Sequence, residues 1–511
     1  MFFRLRPTQK SKPRERACFF DRRSAGGDAR SIAWLIIGVA FALRALTINH
    51  ESLWRDEIDS ARFALEPLPV LLAGFARQQW NGAFYLLALR GWMALSGDSP
   101  FALRYFSVAF AVLQVALGYA IGRRTLGSEA GLAAAWLMAI APALIWYAVE
   151  GKMYTLQPTL ILLAVYALLR AERRRDWLAF VAFTSLSFYT HLLSPLFLAV
   201  AAALMLMHAT LRAQWRRALG ALVALTLPYA PLATWQLPLA LRGGESGHPG
   251  VTLSGAAYLL LSYWTTGLSA TRALPTGWMG QALLFGAIAV PTSIISLGLA
   301  SMMHSRGMRQ HWATLAGFIA WMVLPFALLY AISTRYPLFN PRYLLWTAPA
   351  FYLLLSSTIV LGWRNRALRG SLLALLSAMS LFGVWAQLIY PIRPNIREAA
   401  ACVLRHLHAT DPIIFQIPYG QHGLAYYARQ AGEHLAPAQI IEAPFTNHGL
   451  SAAEVWGQLE VRLSGARRFW LYETEPSMWD ARGLVRQWAD RHARLTLRCD
   501  FRGVAVGLYQ R

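Results

Sequence analysis

The chain has 511 residues, 56% of them hydrophobic and only 14% charged, and carries a formal net charge of +23 at pH 7. That balance excludes an ordinary soluble multidomain protein and points to a polytopic membrane protein. No basic stripe or stacking module accompanies the positive charge, so no nucleic acid is expected as a partner; the excess arginine lies mostly in the N-terminal tail and between apolar runs, where it reports orientation.

Residues 1–30 form a basic tail with Arg4, Arg6, Lys10, Lys12, Arg14, Arg16, Arg22 and Arg23 and without a cleavable apolar core before Ser31. This reads as a cytoplasmic tail and not as a signal peptide. From Ser31 to Tyr390, apolar runs approach the ~20 residues that cross a bilayer. They divide into about eleven spans, roughly 31–48, 104–121, 131–148, 156–170, 177–190, 194–211, 219–235, 279–303, 312–332, 343–361 and 370–389. Five basic clusters each follow an even-numbered span: Arg123 and Arg124; Arg170 with Arg173 to Arg175; Arg212, Arg216 and Arg217; Arg306 and Arg309; Arg364, Arg366 and Arg369. All five then face the cytoplasm of a multi-pass inner-membrane protein, and the segment 49–103 faces outside. Two shorter apolar stretches, Asn81 to Leu95 and Ala256 to Leu268, are expected as juxtamembrane or re-entrant helices on the outer face.

After Pro391 the apolar pattern stops, and 391–511 reads as an extracytoplasmic (periplasmic) α/β domain. Helix-like 395–409 precedes a strand at 411–417, helix-like 451–464 precedes a strand at 467–474, and 493–510 reads as a closing hairpin. Neither GxGxxG nor GxxxxGK[ST] occurs there, so no nucleotide cofactor is expected and the domain is assigned to acceptor recognition or to covering the site. Cys402 and Cys499 share this domain; two buried thiols are the plainer reading and one bridge the alternative. The fold class expected is an all-α membrane module, 31–390, with a C-terminal soluble α/β domain.

The sharpest chemical cluster is LWRDEIDSA at 53–61, directly after the first span. A carboxylate on the aqueous face beside a bilayer can take a proton from an acceptor hydroxyl or amine, and a second can orient it or bind a metal. Asp56 is expected as the base and Glu57 as its catalytic partner; the alternative is that Asp56, Glu57 and Asp59 are solvated acids at a helix start. A second cluster, YAVEGKMYTL at 147–156, falls on the same face and contributes Glu150, Lys152 and Tyr154. Lys152 is the only lysine after the tail, and as a point charge it suits a phosphate, although an interfacial Glu150/Lys152 pair is also a plain reading. His191 stands where the fifth span emerges and is either an ordinary hydrogen-bonder or part of the site, with Glu57 and His191 the candidate ligands for a divalent metal cation. Arg342 with Tyr343, in NPRYLLW, and Arg104, in FALRYFS, open spans on the outer side. Each arginine fits a bidentate phosphate clamp or a topology anchor.

In this order the motifs resemble the C-type glycosyltransferase superfamily, most closely the glycosyltransferase family 39 and Rgt-like branch, relatives of protein O-mannosyltransferases and lipid A aminoarabinose transferases. The resemblance rests on Trp54, Asp56 and Glu57, on Phe101 to Ser107, on Glu150, Met153 and Tyr154, and on Arg342, Tyr343 and Leu344, and covers about 31–390. It implies an inverting transfer of a sugar from a polyprenyl-phosphate donor to an extracytoplasmic glycan, lipid or protein acceptor among membrane lipids, with Asp56 as base; some relatives bind a divalent metal. The chain departs from the family at Asn81, Gly82 and Ala83, where many members have a His-Pro-Pro-like stretch, and at Lys152, where the branch often has Arg. Rival readings are a secondary transporter, which would place acids in mid-span and show paired broken helices, and a non-enzymatic envelope assembly factor, in which the carboxylates would be expendable.

Overall fold

A computed structural model describes residues 18–78, 80–242, 250–304, 311–444, 447, 449–476 and 480–511, with side chains described from residue 28 onward. Most of the expected basic tail, together with Arg306 and Arg309, lies outside the described residues. Among those described, 7 helices are long and apolar enough to cross a membrane. The remaining expected spans are shorter helices, Leu156–Leu169, Arg174–Phe188 and Ser194–Met207, and one broken pair, Ser128–Ile140 with Pro142–Ala148, bent by 58°. The two apolar stretches read as non-spanning are helices of 14 and 13 residues, Ala83–Ser96 and Leu253–Thr265.

The break has a local cause. Pro142 has no N–H for the carbonyl of Met138, four residues earlier, and the guanidinium of Arg44 takes over: Nη2 donates to the Met138 carbonyl at 3.2 Å and Nη1 to that of Ala139 at 2.9 Å. Arg44 is fully buried in the first span, a charged residue held by freed backbone carbonyls. Elsewhere close helix pairing depends on small residues. A Cβ on Gly122 would lie 2.8 Å from the Gly131 Cα, and one on Gly362 would lie 2.9 Å from the Gly298 Cα, so these pairs set backbone contact. The outward side remains apolar, with Leu46, Leu227 and Trp278 more than three-quarters exposed, as a lipid-facing surface requires.

The C-terminal domain is a five-stranded sheet with β1 Ile413–Phe415, β2 Ile440–Glu442, β3 Arg468–Thr474, β4 Arg494–Phe501 and β5 Val504–Gln510, in the order β2-β1-β3-β5-β4. β1 runs parallel to β2 and β3, whereas β5 runs antiparallel to β3 and β4. Helices Ala452–Arg462 and Leu484–His492 pack one face around Phe469, Leu471 and Trp488. The other face, with Trp470 and Tyr472, joins the membrane module's core through helices Ile396–His406 and Gly420–Gln430. The expected helices, strands and hairpin are present; β2 and helices Gly420–Gln430 and Leu484–His492 are additional. Cys402 and Cys499 are joined by a disulfide between helix Ile396–His406 and β4, in place of the two thiols that were the plainer expectation. A bridge of this kind fits an oxidising compartment.

The domain sits on the loop that follows the first span. Ser52 Oγ donates to the Pro394 carbonyl at 2.7 Å, the Tyr427 hydroxyl accepts from Leu53 N–H at 2.8 Å, and Tyr426 reaches the Asp98 carbonyl at 2.7 Å. The acidic first loop and the C-terminal domain therefore share one side of the helix bundle.

Candidate active site

Trp54 is extended and leads into helix Arg55–Ala64, so Asp56 and Glu57 fall in its first turn, where acids suit the dipole. Successive helical residues point about 100° apart, and these two carboxylates meet opposite surroundings. Glu57 turns inward. Its Oε1 accepts from Arg104 Nε at 2.8 Å and from Gly151 N–H at 2.9 Å; its Oε2 accepts from Arg104 Nη2 at 2.8 Å and from Trp54 N–H at 3.3 Å. Burial alone would raise its pKa, but Arg104 and the Gly151 N–H hold it below the ordinary carboxylate value. Arg104 spends its remaining N–H groups on the carbonyls of Ile48, Glu51 and Ser52 at 2.7–3.0 Å, and neither side chain of the pair is exposed. The pair closes the turn between the first span and the loop and leaves no guanidinium N–H for a ligand.

Asp56 turns outward to Arg342, with Oδ2 and Nη1 3.5 Å apart and side chains 28% and 21% exposed. Arg342 is aimed by the local sequence: Asn340 Oδ1 accepts its N–H at 3.1 Å, and Pro341 opens the short 3-10 helix Pro341–Thr347. The guanidinium carbon lies 5.3 Å from the Tyr343 ring and 5.7 Å from the Tyr154 ring, within cation–π range. The His191 ring lies 5.4 Å from that of Tyr343 and 6.0 Å from that of Tyr154. Burial, then Arg342 and Lys152, push the His191 pKa down to about 3, so the imidazole is neutral. Its Nδ1 accepts from Leu193 N–H at 3.2 Å, while its Nε2 and the Nε of Arg342 are buried without hydrogen-bond partners. The fold thus gathers Asp56, Lys152, Tyr154, His191, Arg342 and Tyr343 and leaves two polar atoms there unsatisfied.

Glu150 is buried behind this cluster with Nη2 of Arg393 3.5 Å away, and burial raises its pKa to about 7. Arg393 had no signal in the sequence beyond its place between Pro391 and Pro394. Its backbone N–H donates to Glu51 at 3.1 Å, its guanidinium donates to the carbonyls of Val149 at 3.0 Å and Trp146 at 3.3 Å, and its carbon lies 4.4 Å from the Trp146 ring. It ties the C-terminal domain to both acidic loops.

Among the described residues, no group of three or more His, Cys, Asp or Glu is placed to hold a metal ion. Glu57 and His191, the expected ligands, do not fit one: both Glu57 oxygens are committed to N–H donors, and His191 offers only Nε2. Directly after His191 in the chain, Leu192 and Leu193 begin the lining of an apolar groove of about 250 Å³ between helices, which also includes Leu196, Trp235, Leu239, Leu328 and Leu338.

With this geometry in view, residues 82–235 match the family described as dolichyl-phosphate-mannose-protein mannosyltransferase. ArnT from Cupriavidus metallidurans, bound to undecaprenyl phosphate, superposes with a TM-score of 0.54 at 12% identity, covering 93% of this chain and 97% of that one. The fold is that of the C-type glycosyltransferases. The archaeal oligosaccharyltransferase AglB from Archaeoglobus fulgidus, in complex with an inhibitory peptide and a dolichol-phosphate, gives 0.51 at 11% identity over 92% of this chain and 72% of its own. The oligosaccharyltransferase from the same organism in complex with Zn and sulfate also gives 0.51, at 12% identity over 92% and 73%. No curated protein matches the sequence. The C-type glycosyltransferase fold agrees with the motif resemblance and with an integral, multi-pass membrane protein.

Proposed function

We propose that the protein transfers a sugar from a polyprenyl-phosphate donor to an acceptor on the non-cytoplasmic side of the membrane, with inversion at the anomeric carbon. The observation that carries this reading is the meeting of Asp56 with Arg342, 286 residues apart in sequence, beside two buried polar atoms without partners; an apolar groove is lined by Leu192 and Leu193, which follow His191, and by Leu338, four residues before Arg342. A prenyl chain suits the groove, and its phosphate suits Arg342, Lys152 and the neutral His191. The bound lipid phosphates of ArnT and AglB, which share the fold, support this donor class.

In the proposed step the acceptor oxygen or nitrogen attacks the anomeric carbon while Asp56 takes its proton. The bond from that carbon to the carrier phosphate breaks, and the phosphate leaves with the electron pair. Charge growing on the leaving oxygen is met by Arg342, whose interaction strengthens toward the transition state. A bound phosphate competes with Asp56 for the guanidinium and releases the carboxylate to the acceptor. Glu57 and Arg104 hold the turn that aims Asp56, a positioning role in place of the catalytic and substrate-binding roles expected of them. No step is routed through a metal.

The decisive assay incubates purified protein with a panel of polyprenyl-phosphate sugars and follows free carrier phosphate. Release that depends on Asp56 supports the reading; no release from any donor contradicts it. The proposed orientation places the C-terminal domain outside the cytoplasm. Alkaline phosphatase fused after Arg511 should be active and after Arg175 silent, and the reverse would move Asp56 to the wrong face.

A further inference from the structure

The turn that follows helix Arg174–Phe188 is held by side-chain amides from three separate parts of the chain. Asn81, in the first outer loop, accepts the Leu192 N–H on its Oδ1 at 3.1 Å. Gln236, on helix Trp215–Arg242, donates from Nε2 to the Leu192 carbonyl at 3.1 Å, and its Oε1 accepts from the Tyr229 hydroxyl at 3.3 Å. Gln157 donates to Ser194 Oγ at 2.9 Å, and the Ser194 N–H closes the turn on the His191 carbonyl at 2.9 Å. The outer loop is seated closely on this turn: Phe84 N–H donates to the Tyr189 carbonyl at 2.9 Å, and a Cβ on Gly82 would lie 3.1 Å from Met153 Cε and 3.5 Å from the Thr190 carbonyl oxygen. Gly82 has φ 86°, a conformation closed to proline and unfavourable for any residue with a side chain. Both hydrogen-bonding groups of the Leu192 backbone are thus taken by side chains remote in sequence, while Leu192 and Leu193 line the apolar groove.

We infer that Asn81 and Gln236 are positioning residues that hold His191 as its Nε2–H tautomer, so that the ring presents a neutral N–H donor to a phosphate oxygen of the carrier. The inference rests on the glycosyl-transfer reading above. A backbone N–H can only donate, so Nδ1, which accepts from Leu193 N–H, carries no proton. In the neutral ring the proton then sits on Nε2, the atom that is buried without a partner in a residue 1% exposed. The bond from Leu193 to the ring reaches across Leu192, so it lasts only while the peptide groups of Leu192 keep their orientation. Those are the groups that Asn81 and Gln236 grip. A neutral donor suits this place because it can hold a phosphate oxygen beside Arg342 without burying a further charge.

The test uses the full-length protein in nanodiscs with isotope-labelled histidine and reads the two His191 ring nitrogens by solid-state NMR, without donor, sugar or acceptor. The signals are assigned by transfer to the Leu193 amide and by their loss in His191→Gln. In wild type Nε2 should be protonated and Nδ1 bare; a proton on Nδ1, or on both, would overturn the assignment, and this measurement stands even where a variant fails to insert. Asn81→Leu and Gln236→Leu should each give a mixture of tautomers and weaken binding of a polyprenyl phosphate about three- to tenfold, the value of a neutral hydrogen bond. Asn81→Asp keeps an oxygen for the Leu192 N–H and should keep the wild-type tautomer, a rescue that a merely space-filling role would not show. The wild-type tautomer in both leucine variants, its loss in Asn81→Asp as well, or unchanged affinity in variants that have lost it would each overturn the inference. Because the tautomer is read without donor, failure there strikes the positioning claim alone, whereas failure of carrier release strikes the transferase reading.

Discussion

Two neighbouring carboxylates, each facing an arginine, separate what holds this fold from what is free to react. Glu57 and Arg104 are fully buried, doubly bonded to each other at 2.8 Å and surrounded by backbone partners. Asp56 and Arg342 are partly exposed, 3.5 Å apart and joined by one contact, with an arginine nitrogen left over. A closed ion pair of the first kind is fixed geometry. An open pair of the second kind can be divided between two ligands, one taking each partner.

The comparison would break most visibly at the closed pair. Glu57→Gln leaves the Arg104 charge buried without its counterion, and loss of one partner in such a pair costs about 3–5 kcal/mol. The variant should melt well below wild type in detergent; an unchanged melting temperature would remove the positioning role. At the open pair, Asp56→Asn should lower transfer by at least ~10²-fold, the lower range for loss of a general base, with no fall in melting temperature. Turnover near normal would take Asp56 out of the mechanism. Arg342→Lys keeps the charge but loses the planar fork, so turnover should fall by roughly 10-fold, the equivalent of one charge-assisted hydrogen bond. Membrane insertion should be unaffected, and full activity would return Arg342 to the role of topology anchor.

The smallest effect is a trend with pH. Glu150 has its pKa raised by burial to about 7 in the fold, against an ordinary 4.5. Between these values the folded protein keeps a proton that the unfolded chain gives up, so rising pH disfavours the fold across that window and not outside it. Glu150→Gln lacks this term. The melting temperature of wild type relative to that variant should therefore decline from pH 4.5 to pH 7, and a constant difference would show that Glu150 titrates normally.

Much of this contrast was legible in the sequence, but not its sense. The pairing of the first acidic loop with NPRYLLW followed from order along the chain and a common face of the membrane. Which of two adjacent acids turns inward did not, because helix phase relative to the bundle depends on partners such as Gly151 and Ile48 that a sequence does not bring together. Arg44 and Arg393 were missed for a related reason: each serves backbone carbonyls, and a carbonyl has no signature in a sequence. The broken span was hidden by its apolar composition, although Pro142 marked the place. β2 is three residues long and carries no alternation to read. The disulfide joins residues 97 apart, and only the fold of the domain sets them together.

The account stands on the phosphate of the carrier lying on Arg342 while Asp56 is freed for the acceptor. A structure of the protein with a polyprenyl phosphate bound in a nanodisc tests this most directly. The account predicts phosphate oxygens within hydrogen-bond distance of the Arg342 guanidinium, the prenyl chain in the groove beside Leu193 and Leu338, and Asp56 separated from Arg342. A phosphate held elsewhere, with the Asp56–Arg342 contact intact, would contradict it.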